Sequence, residues 1–361
     1  MTAVRRLLAP LLALCLILLT ACSGRSTGPD PSSAGPAPSS AATATPSPTG
    51  DAAPSSAPAT AVQDTERRTA TAAPRPTGET TQDAGAPLPD GVVTALIIGT
   101  DSRDGDLSGR SDVIVLAQLT EDHDHLNLVS VARDSYVDIP GYGKDKINAA
   151  YERGGIPLLE ETVSDLLGGL EIDLVAQTNF EMFIALTRWM DGFWVDNKHA
   201  TTVTVGSTGR QVVFEKGRIH LENTDGLIYV RERKTLPLGD LDRTERHRAA
   251  LVGMMQRLAQ IREEEPQKLL ELLPMLYKNV KIEGDLEVDQ LATMVEVGAR
   301  LGPEDVTSLM VPVSRFGWSE AGASIDLLDH ARTAELAEGL RQGDLSGYVD
   351  RYGTSNALTG G

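Results

Sequence analysis

Apolar residues along the chain fall into short blocks whose spacing separates strands from helices. Val92–Gly99, Asp112–Leu119 and Leu126–Ala132 are nearly continuous runs of Val, Ile, Leu and Ala bounded by Gly, Ser and Asp. Runs of that length and composition predict buried strands. The polar link TEDHDH between the second and third is short, as in an antiparallel turn. Leu158, Leu159, Val163, Leu166 and Leu167 then recur at helical spacing, and Phe180, Phe183, Ile184 and Leu186 predict another helix. Leu227–Arg233 (LIYVRER) reads as a strand entering a loop. Asp242 and Glu245 form a capping-box pattern that starts a helix continuing through Ala250, Leu251, Met254, Met255, Leu258 and Ile261. Further helices and a strand near Val313 complete an α/β pattern without internal repeats.

The N-terminus has a different pattern. Arg5 and Arg6 precede an apolar run, Leu7 to Leu19, that contains Pro10 and is short for a bilayer-spanning helix. It closes on Leu19-Thr20-Ala21-Cys22, which resembles the lipobox of bacterial lipoproteins. The expectation is a signal peptide over 1–21 and a lipid on Cys22; the alternative is an uncleaved signal anchor. Either places the chain on the extracytoplasmic face of the cell membrane. Residues 22–88 are rich in Ala, Ser, Thr and Pro, lack aromatics, and are expected to form a disordered tether spanning roughly 45 Å. A folded domain over 89–345 and a flexible tail over 346–361 complete the expected organisation. Cys15 and Cys22 are the two cysteines and Cys15 would leave with the signal, so the fold must rest on its core.

Composition narrows the chemistry. The formal charge is −18, from 33 basic and 51 acidic residues, which argues against a nucleic-acid partner. Arginines clustered in such a chain therefore call for an explanation. If the three strands run up, down and up, Asp101, Asp112 and Arg133-Asp134 share one rim, with Arg103 and Arg110 on the loop between the first two. Arg231 and Arg233, two apart on the expected strand, face one way. Arg243, Arg246 and His247 fall in the first turns of the expected helix, where cations are unfavourable unless an anion offsets them. Arginine forks match phosphate oxygens, and paired Asp carboxylates suit Mg²⁺. Taken singly, each motif has a plainer reading: an Asx-rich turn, a surface ion pair, a solvated strand end. Met254 and Met255 read as core, and His123, His125, His199, His220 and His330 lack ligand-like spacing.

The blocks GTDSR, GRSD, ARDSYVDIPGYG, KINAAY, YVRER and GDLDRTERH, in that order, resemble the LytR–CpsA–Psr family of cell-wall enzymes. The resemblance implies an α/β/α sandwich with a central mixed sheet. It implies transfer of a glycopolymer from a polyprenyl-pyrophosphate carrier to a peptidoglycan sugar hydroxyl. Asp101 and Asp112 would hold Mg²⁺, and Arg110, Arg133, Arg231, Arg233 and Arg243 would contact the pyrophosphate. Asp134, Arg103, Lys146 and Arg246 match further motif positions. His247 stands where the family usually has Gln, and Asp191-Gly192-Phe193 replaces a Gly-Gly pair. The alternatives are a pyrophosphatase acting on the same lipid and a non-catalytic binder of lipid-linked precursors.

Overall fold

The computed structural model describes residue 88 and residues 90–101, 109–271, 275, 279–284, 290, 293–294, 297–298 and 300–360. The expected signal segment, Cys22, the tether up to residue 87 and Arg103 lie outside the described residues.

The three predicted strands form the centre of a six-stranded mixed sheet. They are β1 (Val93–Thr100), β2 (Ser111–Leu119) and β3 (Leu126–Ser130). The order is β11 (Lys281–Gly284), β6 (Leu174–Asn179), β1, β2, β3 and β12 (Val306–Met310). β2 runs antiparallel to both β1 and β3, while β6 and β12 lie parallel to β1 and β3. Every residue of β1 is buried because both faces of the sheet are covered. Side chains alternate between two cores: Leu96, Ile98, Ile114 and Leu116 enter one, Ile97, Val113 and Val115 the other.

Helices α1 (Asn148–Leu166), α5 (His330–Gln342) and α6 (Ser346–Tyr352) supply the first core through residues such as Leu159, Val163, Leu336 and Tyr348. Gly155, at positive φ, breaks α1, and Pro157 fits the start of its second part. Helices α2 (Phe180–Trp189), α3 (Asn223–Arg231) and α4 (Asp240–Glu264) cover the opposite face through Phe183, Tyr229, Met254 and Leu258. This is an α/β/α sandwich. No helix among the described residues is long and apolar enough to cross a membrane.

Three expectations are corrected. Leu227–Arg233 is not a strand: Leu227 to Arg231 belong to α3, whose Gly226 approaches Phe183 and Thr187 of α2 closely. Packing against α2 overrides the β-like composition of LIYV. Helix α4 begins at Asp240 rather than Asp242, and the Asp242 carboxylate accepts from the backbone N–H of Leu238 instead of closing a box with Glu245.

Residues 346–361 were expected to form a flexible tail; of these, 346–360 are described and docked. Tyr348 is buried, Thr359 and Gly360 donate backbone N–H groups to Val313 and Ser314, and Asn356 bonds both Arg248 and the Leu241 carbonyl. The cause lies in α4: Arg248 is buried and is held by Ser308, Thr244 and Asn356 oxygens. Burial lowers its pKa to about 10.

Two hairpins extend the rim. β4 (Tyr136–Ile139) pairs with β5 (Gly143–Lys146), and β13 (Val313–Trp318) pairs with β14 (Ser324–Leu328). They meet where the Asp326 N–H donates to the Asp134 carbonyl at 2.8 Å.

Candidate active site

Strand polarity brings separated residues to one rim. Asp101 follows β1, Asp112 opens β2, and Arg133-Asp134 follows β3. Arg133 Nη1 reaches Asp112 Oδ1 at 2.5 Å, an interaction across 21 residues of sequence. Asp101 Oδ1 accepts from the Arg110 backbone N–H at 2.9 Å, and the Arg110 guanidinium lies 3.9 Å from Asp101 Oδ2. Lys146, carried by β5, pairs with Asp134 at 2.9 Å. Asp101, Asp112, Arg133 and Asp134 meet as strand direction predicts, and Lys146 joins them from β5.

Helix α4 approaches the rim by its N-terminus. Gly239 takes positive φ there, which turns the chain so that Asp240 enters the first turn. Asp240 Oδ1 lies 2.7 Å from Arg243, 3.6 Å from Arg133 and 3.7 Å from Arg233. One carboxylate thus gathers three guanidiniums, and it is the anion that the cationic helix start requires. Asp240 stands inside the GDLDRTERH block, where no local pattern marks it for this role.

The electrostatics are those of a buried, incompletely paired site. Asp112 is 3% exposed, and its Oδ2 is buried without a hydrogen-bond partner. Burial raises its pKa; Arg133 and Arg243 pull it down, and nearby Asp101 raises it further. Burial lowers the pKa of Arg243, which is 1% exposed and whose Nε lacks an acceptor. The pKa of Arg133 is raised: Asp240, Asp112 and Asp134 outweigh the burial that would lower it. Unpaired buried polar atoms are costly, and they collect here on facing groups of opposite charge.

A cleft of about 1150 Å³ opens over this rim. Arg110, Arg133, Asp134, Lys146, Arg233 and Asp240 line it from one side, and Phe316, Ser324 and Asp326 line it from the β13–β14 hairpin. Asp326 is a second acidic residue that no sequence motif marks. It is 4% exposed, its Oδ2 lacks a partner, and burial reinforced by Asp134 and Asp240 raises its pKa to about 7.

Arg246 and His247 turn their side chains into the packing around α4, and Arg231 stands on a helix rather than on the expected strand. Arg246 points into the β7 (Phe193–Asn197) and β8 (Thr201–Thr204) side, bonding the Thr201 hydroxyl at 2.8 Å and the His199 carbonyl at 3.0 Å. It stacks on Tyr229 with 4.4 Å between guanidinium and ring centroid. These contacts make it part of the scaffold. His247 is buried, its Nε2 bonds the Val230 carbonyl at 2.9 Å, and burial beside Arg243 and Arg248 keeps the ring neutral. Arg231 ends α3 with its guanidinium 4.9 Å from the Phe180 ring centroid, so it does not share a strand face with Arg233.

Comparisons with known proteins agree with this architecture. A curated relative from Oceanobacillus iheyensis, named polyisoprenyl-teichoic acid–peptidoglycan teichoic acid transferase TagU, is 36% identical over 217 residues, covering 58% of this chain and 64% of that protein. Its namesake from Bacillus subtilis is 33% identical over 169 residues, covering 46% of this chain and 53% of that protein. The matches thus span less than two thirds of these relatives. The crystal structure of B. subtilis TagV superposes with a TM-score of 0.59 at 22% identity, over 73% of this chain and 99% of that one. TagT bound to LI-WTA gives 0.55 at 24% identity, over 70% and 90%. At those identities the likeness establishes the fold. The family model LytR_cpsA_psr matches residues 58–342, and the chain therefore belongs to the LytR_cpsA_psr family.

Proposed function

We propose that the chain is a phosphotransferase of cell-wall assembly. It moves a glycopolymer from a polyprenyl-pyrophosphate carrier to a sugar hydroxyl of peptidoglycan, at the outer face of the membrane to which Cys22 tethers it. The observation that carries this reading is the cluster of Arg133, Arg233 and Arg243 around the Asp112–Asp240 rim, with unpaired polar atoms on Asp112 and Arg243. Such a site matches a ligand that is both strongly anionic and metal-binding.

Asp101 and Asp112 would hold Mg²⁺, and the buried, unpartnered Asp112 Oδ2 fits a hard cation. A cation bound there supplies neutralisation of charge on the pyrophosphate. The rest is the chain's own work. Arg133, Arg233 and Arg243 orient the pyrophosphate and favour the charge that gathers on the leaving phosphate. Asp240 holds the three arginines in register, and Lys146 and Asp134 form the adjoining wall. The names of the curated relatives, which describe transfer of a teichoic acid to peptidoglycan, support the reaction class.

Incubation of the purified protein with a polyprenyl-pyrophosphate-linked oligosaccharide and uncrosslinked glycan strands tests this reading. It expects metal-dependent release of polyprenyl monophosphate with label appearing on the strands. Release without labelled strands would support the pyrophosphatase instead, and binding without release would support the non-catalytic binder.

A further inference from the structure

The β13–β14 hairpin carries a second constellation. In its register Phe316 stands opposite Asp326 and Trp318 opposite Ser324. Residues two apart on a strand, and residues directly opposite across an antiparallel pair, share a face. Phe316, Trp318, Ser324 and Asp326 therefore lie on one face, and Phe316, Ser324 and Asp326 line the cleft. The chain has three Trp and five Phe in 361 residues, and it spends one of each on neighbouring exposed positions here. Phe316 is 45% exposed and Trp318 76%. No ring or cation stacks on either among the described residues. Rings two residues apart stand roughly 7 Å from each other along a strand, a spacing that serves flat units joined in a chain. The apolar face of a pyranose ring is such a unit. Beside these rings the buried Asp326 carboxylate, with its unpartnered oxygen, meets the cleft within the electrostatic reach of Arg133.

We infer that this face of the hairpin is the acceptor subsite, where Phe316 and Trp318 stack on the sugars of a glycan strand and Asp326 accepts the proton of the attacking hydroxyl. The inference rests on the transferase reading above and adds the acceptor side to it. The step balances: the sugar oxygen bonds to phosphorus as its proton passes to the Asp326 carboxylate. The bond from that phosphorus to the bridging oxygen breaks, and its electron pair leaves with the polyprenyl phosphate. The proton then passes to water. The charged groups that set the ionisation of Asp326 are Asp134 and Arg133 after β3, Asp240 at the start of α4, and Lys146 on β5. Burial, with these charges acting on it, leaves a carboxylate that titrates near neutrality, as a general base requires.

The test uses the whole protein, a polyprenyl-pyrophosphate-linked oligosaccharide as donor, and a soluble β-1,4-linked N-acetylglucosamine oligomer as acceptor. Binding of that oligomer is followed by tryptophan fluorescence, and transfer by kcat and KM for each substrate. The double variant Phe316→Ala/Trp318→Ala should lose the fluorescence change and raise the acceptor KM about 10-fold or more, with the donor KM within about twofold. Trp318→Tyr should restore part of the affinity. Asp326→Asn should lower kcat by about 100-fold, leave the donor KM unchanged, and abolish the rise of activity with pH through about 7. An unchanged acceptor KM in the double variant, or a persistent limb near pH 7 in Asp326→Asn, overturns the inference while the transferase reading stands. A wild-type protein that hydrolyses the donor without transfer overturns both. If Asp326→Asn does not fold, the wild-type profile decides, and a flat profile between pH 5 and 9 counts against Asp326.

Discussion

The acidic residues of the rim do different work because their surroundings differ. Asp112 is buried against Arg133 and Arg243 with one oxygen unpaired, whereas Asp240 stands 2.7 to 3.7 Å from three arginines with neither oxygen in a hydrogen bond. If Asp112 and Asp101 hold the metal, added Mg²⁺ should raise the unfolding temperature of the wild type through binding to the native state alone. Asp101→Asn and Asp112→Asn should abolish that rise and lower transfer by about two orders of magnitude. The fold should survive in Asp112→Asn, since Arg133 keeps Asp134 and Asp240 nearby. Thermal scans with and without Mg²⁺ check this, and an undiminished rise in both variants removes the metal from these carboxylates.

Asp326 makes a separate prediction. Its folded pKa lies above the unfolded one, so between about pH 4 and pH 7 the native state holds the extra proton. Its contribution is fully present below pH 4 and is lost as pH rises through 7. Asp326→Asn should therefore raise the unfolding temperature more at pH 8 than at pH 5, while activity falls. Equal shifts at both pH values contradict the raised pKa.

At the scale of elements, the rim was legible because strand direction follows from three apolar runs and one short turn. Asp101, Asp112, Arg133 and Asp134 came from that alone. The parts that were not legible depend on packing between distant segments. LIYV has strand-like composition, and α3 forms because it lies against α2. Asp326 carries no local signal, and it joins the site only when β14 meets the turn after β3. Arg246 carried the same motif signal as Arg243, yet three residues along α4 its side chain faces β8, where Tyr229 and Thr201 hold it.

Close packing also sets a test on α4. Gly253 lies against β7, where an added Cβ would overlap the Trp194 carbonyl and come within 3.0 Å of the Phe193 ring. Helix propensity alone would favour Ala by about 1 kcal/mol. Overpacking against backbone should win by costing about 1–3 kcal/mol. Gly253→Ala is thus expected to lower stability in denaturant titration, and a gain would show that the helix can shift away from β7.

At the scale of the whole molecule, the C-terminal segment is part of the domain. It closes over Arg248, a buried cation held by neutral oxygens, one of which belongs to Asn356. Truncation after Leu345 removes α6 and the Asn356 oxygen to which Arg248 donates, leaving a buried donor without that acceptor at a cost of about 1–3 kcal/mol. The truncated protein should unfold at markedly lower denaturant than the full chain, and an unchanged midpoint would return this segment to the status of a tail. The reaction at the rim is read directly from product mass. With lipid-linked donor, glycan strands and Mg²⁺, mass spectrometry of the strands should show the donor sugar joined through one phosphate. Polyprenyl monophosphate should appear in equal amount, and both products should fall about 100-fold in Arg243→Ala. Free glycosyl phosphate with unmodified strands would rule out transfer, and full product from Arg243→Ala would remove the arginine cluster from the reaction.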